Sequence, residues 1–168
     1  MKTLITTIAF MVIATQVSAL SCMPVHHVTS FEKAVNSDLS YSILHGTFTF
    51  DPKTLPSMEE RNREDYEPIL INSNFEGRVL SRTGFVDILP FEVGLSPICV
   101  GPWCGNLATG IETIAFAQRL ENGSFLVQPA PCGGQAFQRV TAEMISDIEA
   151  CAAGNCPDVP ASDVPNKN

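Results

Sequence analysis

The sequence predicts a mainly β domain, with about five strands forming a small closed or partly open barrel, one short helix before them and one after. Two observations lead to this. Stretches rich in aromatic and β-branched residues alternate with clusters of Gly, Pro, Asn and Ser, the pattern of strands and turns. Apolar residues at helical spacing occur only near the two ends of the domain. Closure follows from the strand count, because a short open sheet would leave both edges unpaired.

The elements run in order. Val28, Phe31, Ala34 and Val35 have helical spacing, and Thr29 or Ser30 can cap a short helix there. Leu39 to Phe50, "LSYSILHGTFTF", reads as the first long strand, with Leu44, Phe48 and Phe50 on one face. Residues 51 to 74 are polar, charged and interrupted by Pro52, Pro56 and Pro68, so they read as a solvated excursion. "FEGRVLSRTGF" and "VDILPFEVGL" read as two strands divided near Gly84, with Pro90 marking an edge. "SPICVGPWCGNLATG" is all turn chemistry. "IETIAFAQRL" and "FLVQPA" flank Asn122-Gly123, which suits a type I′ hairpin turn. Thr141 then caps a C-terminal helix that buries Met144, Ile145, Ile148 and Cys151.

The first nineteen residues have the form of an export signal: Lys2, an apolar run from Leu4 to Val17, and Val17-Ser18-Ala19 at the cleavage site. Residues 20–156 then make one domain, and 157–168, with its repeated Asp-Val-Pro, a disordered tail. A secreted or periplasmic protein cleaved after Ala19 is expected, with no membrane span. Without Lys2 the chain keeps nine basic against 18 acidic residues. That balance opposes nucleic acid and anionic lipid as partners. A monomer without cofactor is expected.

Cys22, three residues past the cleavage site, admits several readings. A lipid attachment site prefers Leu three residues ahead of it and small residues between; here the order is Ala19, Leu20, Ser21. A zinc site would draw on Cys22, His26, His27 and His45, or on the two Cys-x4-Cys pairs Cys99/Cys104 and Cys151/Cys156. In an oxidising compartment such pairs more often close small disulfide loops. A nucleophilic thiol would need an activating base and an oxyanion site that no spacing specifies. Hydrolase, zincin and phosphate-loop motifs do not occur, and the carboxylates Glu59, Glu60, Glu64 and Asp65 lie in the charged excursion. The chain therefore reads as a non-enzyme. Six cysteines allow fifteen pairings.

"SCMPVHHVTSF", followed by "NSDLSYSILHGTFTF", resembles the opening of the tissue inhibitors of metalloproteinases and the wider netrin-like group. The corresponding residues are Leu20, Ser21 and Cys22, then Pro24 and His26, then Asn36-Ser37-Asp38. "CGNLATGIETIAFAQRLENGSFLVQPAPC" is similar to the segment that in those proteins joins a Cys-Gly pair, through a hairpin, to the next cysteine. The resemblance covers about half of the chain beyond the signal and implies a five-stranded OB barrel. It also implies a Cys22–Cys132 disulfide. Leu20 replaces the family's first cysteine, the usual partner of the one at Cys104, so Cys99 takes that role, giving Cys99–Cys104, and Cys151–Cys156 completes the set.

In the inhibitors the first residue's amine and carbonyl chelate the target's catalytic zinc, and the second side chain enters its specificity pocket. Transferred by position, Leu20 supplies the amine and carbonyl, Ser21 faces the pocket, and Cys22, Met23 and Pro24 hold the approach. The expected partner is another protein, in the sharpest form a zinc metalloprotease. Two other readings remain open: a structural domain of a cell-envelope assembly, and an oligosaccharide-binding OB module in which Trp103 stacks on sugar.

Overall fold

The computed structural model describes residues 25–61, 66–100 and 103–159. Two long strands, β1 (Tyr41–Thr49) and β2 (Ile71–Ser81), supply the frame because each is long enough to pair with different neighbours along its length. The others are β3 (Gly84–Asp87), β4 (Phe91–Leu95), β5 (Cys99–Val100), β6 (Trp103–Cys104), β7 (Glu112–Arg119), β8 (Phe125–Val127) and β9 (Ala136–Gln138). β1 pairs antiparallel with both β2 and β7, β2 with β4, and β7 with β8, while β4 and β8 run parallel. The circuit β1-β2-β4-β8-β7 returns to β1, so the five strands close into an OB-like barrel. β3 extends β2 and β9 extends β7 outside that circuit.

Closure requires β1 and β2 to bend where they cross. There Gly46 faces Gly77, and a methyl group on either would strike the opposite backbone, at the Glu76 or the His45 carbonyl. Glycine at a close strand crossing is the physical requirement.

Inside the barrel, Leu44, Phe48, Phe75, Val93, Leu95 and Val127 are buried, with Ala115 and Ala117 giving room for the rings. Phe48, Phe75, Phe91 and Phe125 contact in series, with centroids 4.9, 5.4 and 5.2 Å apart. Each fully buried ring contributes about 1.5–3 kcal/mol by leaving water.

A second core lies outside the barrel wall, where α1 (His27–Val35) packs on β7 and on α3 (Ala142–Ala152), and α3 in turn packs on β2 and β3. It gathers Val28, Phe31, Ile43, Ile114, Phe116, Ile148 and Cys151. β7 is thus buried on both faces: alanines point into the barrel, and Ile114 and Phe116 point toward the helices. That two-sided burial is why its sequence is continuously apolar.

The expected fold class, mainly β with two helices and a C-terminal α3, is the observed one. Several boundaries differ. α1 begins one residue early, capped by the His26 ring, which accepts from the Val28 N–H at 3.3 Å, so neither Thr29 nor Ser30 is the cap. β2 starts at Ile71, inside the expected excursion, because Ile71, Ser73 and Phe75 alternate into the core. The excursion itself holds a 3-10 turn, Pro52–Thr54, and a single helical turn, α2 (Met58–Arg61). Pro90 separates β3 from β4 rather than lying within a strand.

The hairpin between β7 and β8 exists, but its five-residue connection is not a type I′ turn. Only Gly123 takes positive φ, at 81°, while the Asn122 carbonyl oxygen of the side chain accepts from the Ser124 N–H at 3.0 Å. Thr141 does cap α3, accepting from the Met144 N–H at 3.2 Å. Of the expected disordered tail, Val159 packs against the second core; residues 160–168 lie outside the described residues. No helix among the described residues is long and apolar enough to cross a membrane.

Candidate functional site

The segment expected to be all turn contains a small hairpin, β5–β6, in which Cys99 opposes Cys104 and Val100 opposes Trp103. A disulfide joins Cys99 to Cys104. The base of the hairpin is fixed to the barrel: the Ile98 N–H donates to the Pro129 carbonyl and the Gly105 N–H to the Ile98 carbonyl, both at 2.8 Å. Gly105 lies so close to Pro129 that a methyl group at this position would overlap the Pro129 carbonyl. The hairpin holds its apolar side chains in solvent, with Val100 52%, Trp103 45% and Ile98 36% exposed. Trp103 is therefore no part of the barrel core.

The Pro129 anchor leads directly to the turn that carries Cys132. Gly133 and Gly134, with φ of 81° and 107°, turn the chain back in a conformation that favours glycine. Gly134 lies against Val25, whose side chain would touch a methyl group there at 3.7 Å. Hairpin, Cys132 turn and Val25 thus form one continuous rim of the molecule. Cys132 is disulfide-bonded. Its expected partner Cys22, and the expected binding residues Leu20, Ser21, Met23 and Pro24, lie outside the described residues. Cys151 and Cys156 form the third expected disulfide, at the end of α3.

Each of the three histidines has a hydrogen-bond partner within the fold. The His26 ring caps α1, as above. His27 is buried, and its Nε2 donates to Asp147 Oδ2 at 2.7 Å, tying α1 to α3. His45, 3% exposed, lies across the barrel wall between Arg78 on β2 and Glu112 on β7. A guanidinium can only donate, so the 2.8 Å contact from Arg78 makes His45 Nδ1 the acceptor. The ring proton is then on Nε2 and is donated to Glu112 Oε1, also at 2.8 Å. The Arg78 guanidinium further stacks on Phe85, 5.7 Å from its centroid. Among the described residues, no three His, Cys, Asp or Glu side chains converge as a metal-ligand set.

No protein-family model, no curated protein and no solved structure matches this chain.

The acidic excursion is ordered locally by its own caps. Glu60 accepts from the Ser57 N–H at 2.7 Å, and the Ser57 hydroxyl accepts from the Glu60 N–H at 3.2 Å, a reciprocal capping box. Glu60 thus has a structural task, and Glu64 and Asp65 lie outside the described residues. Reading the sequence missed the His27–Asp147 and Arg78–His45–Glu112 links. Their partners are 120, 33 and 67 residues apart, and no local pattern marks such pairs.

Proposed function

We propose that this protein is a secreted or periplasmic, non-enzymatic binding module that engages another protein through the rim formed by the β5–β6 hairpin and the Cys132 turn. One observation carries the reading: a disulfide-closed hairpin, hydrogen-bonded to the barrel, displays Ile98, Val100 and Trp103 to solvent. A loop with no recognition task would bury or replace such residues, whereas a rigid apolar projection loses little conformational freedom on binding. Tryptophan is moreover among the residues that dominate interface energies.

The resemblance to the metalloproteinase inhibitors sharpens the proposal. In that form Leu20 begins the mature chain, its amine and carbonyl approach the zinc of a target protease, Ser21 faces the specificity pocket, and a Cys22–Cys132 bond holds the approach beside the hairpin. That long link would close a loop of about 110 residues and add about 4–5 kcal/mol by chain entropy. It would also spare the ordering of a free terminus, about 1–2 kcal/mol per residue.

The test uses the mature protein, a form acetylated on Leu20, a form extended by one residue, and Trp103→Ala, each measured against a panel of zinc metalloproteases. Inhibition lost on acetylation or extension supports the wedge. Binding that survives both but falls with Trp103→Ala supports the rim without zinc chelation. Absence of any binding removes the protease form of the proposal.

A further inference from the structure

A cleft of about 390 Å³ lies between α1 and the turn 130–135. That is within the range of small-molecule sites, roughly 300–1,000 Å³. Val25, Ala34 and the buried Phe116 give it an apolar floor. Polar groups come to that floor from three elements: Ser30 and Lys33 on α1, Tyr41 at the start of β1, and Gln135 just before β9.

Ser30 is the informative residue. It is 5% exposed, and its Oγ is buried without a hydrogen-bond partner among the described residues. A serine within a helix commonly returns its hydroxyl to the carbonyl one turn back. Here the His26 carbonyl accepts the Ser30 N–H, and the hydroxyl stays unmatched. A buried unmatched hydroxyl is destabilising, so it calls for a partner that the described residues do not supply.

The neighbouring groups define that partner. Lys33 forms no ion pair among the described residues. Gln135 Oε1 accepts from the Gln128 N–H at 3.1 Å, which leaves the NH2 end of the amide as its remaining polar group. Tyr41 adds a phenolic hydroxyl. None of the described lining residues is acidic, in a chain whose formal charge is −8. By itself Lys33 would be an ordinary last-turn cation on α1. It lines the same cleft as an unmatched hydroxyl, a phenol and an amide NH2 over an apolar floor, so the described lining offers hydrogen-bond donors and no acid, the chemistry that suits an oxyanion.

We propose that this cleft binds a small organic carboxylate, its apolar body against Val25, Ala34 and Phe116 and its carboxylate received by Lys33, Ser30, Tyr41 and Gln135. The cleft shares Val25 and the Cys132 turn with the protein-binding rim but uses no residue of the β5–β6 hairpin, so Trp103→Ala tests the rim without touching the cleft, and Ser30→Ala tests the cleft without touching the hairpin.

The full mature protein is titrated with butyrate, hexanoate and benzoate, and with the corresponding three amides, followed by protein-observed NMR. At least one carboxylate is expected to bind saturably, with shifts confined to the cleft and its amide at least about tenfold weaker, the loss of one charge-assisted contact. Ser30→Ala should weaken that carboxylate about tenfold while leaving the melting temperature unchanged or raised, since it removes an unmatched group. A serine with only a packing role would leave binding untouched. Lys33→Met should weaken the same carboxylate to a similar degree. The proposal is overturned if none of the three carboxylates saturates, if the amides bind as well as the acids, or if either variant binds like the parent.

Discussion

Cys99–Cys104 and Cys151–Cys156 have the same spacing, and each closes a loop spanning five positions, yet their surroundings are opposite. Cys151 is buried in the second core beside Ile148, and its loop is made of Ala, Gly and Asn that project nothing into solvent larger than an amide. The disulfide there fastens the end of α3 where the Ala153 N–H already returns to the Glu149 carbonyl at 3.1 Å. At the other loop the bonded cysteines hold a hairpin away from both cores, with Val100 and Trp103 exposed. One bond secures a helix that the fold needs, and the other makes rigid a surface that the fold does not need. A disulfide's role is thus read from what surrounds it, not from its spacing.

Ile148→Ala is expected to lower stability by about 2–5 kcal/mol in urea unfolding, because loss of a fully buried side chain leaves a cavity in the second core beneath α3. A loss below 1 kcal/mol would mean that α3 is not seated as described. Next in size, replacing both cysteines of either short disulfide by serine should cost about 2 kcal/mol through loop entropy. The two double variants are expected to differ in partner binding: removing Cys99–Cys104 should weaken it, and removing Cys151–Cys156 should not.

Asp147→Ala is expected to cost about 1–3 kcal/mol, since it leaves the buried His27 ring nitrogen without its acceptor. The same substitution should leave rim binding unchanged. The smallest effect on the fold is expected from Trp103→Ala and Val100→Asp, within about 0.5 kcal/mol, because both side chains stand in solvent. If these residues form the contact surface, each should nevertheless cost more than about 1 kcal/mol of binding. Loss of stability without loss of binding would assign the hairpin to the fold and end its distinction from the other loop.

The legible parts of this molecule are those whose burial leaves a periodic trace. Leu44, Phe48 and Phe50 announced the inner face of β1, and Met144, Ile145, Ile148 and Cys151 the packed side of α3. β7 was legible as a strand, but its double-sided burial was not, because alanine, unlike a larger apolar residue, stands on exposed faces as readily as on buried ones. β9 was missed: three residues following Gly133, Gly134 and Gln135 are too few to show alternation. β5 and β6, two residues each, were hidden in turn chemistry for the same reason.

The rim was half legible. Its cysteines stood out in the sequence, whereas the fixing of the hairpin on Pro129 joins residues some thirty positions apart. The carboxylate cleft was not legible at all. It takes Val25, α1, Tyr41, Phe116 and the 130–135 turn from distant parts of the chain, and a helical serine gives no sign in sequence that its hydroxyl will find no partner.

The proposed rim is most directly tested through the partner of Cys132. Peptide mapping of the protein under non-reducing conditions measures this directly. A peptide containing Cys22 linked to one containing Cys132, with Cys99–Cys104 and Cys151–Cys156 intact, is the predicted result and would place the segment around Cys22 at the rim. Cys22 recovered as a free thiol, acylated, or bonded to any other cysteine would contradict it.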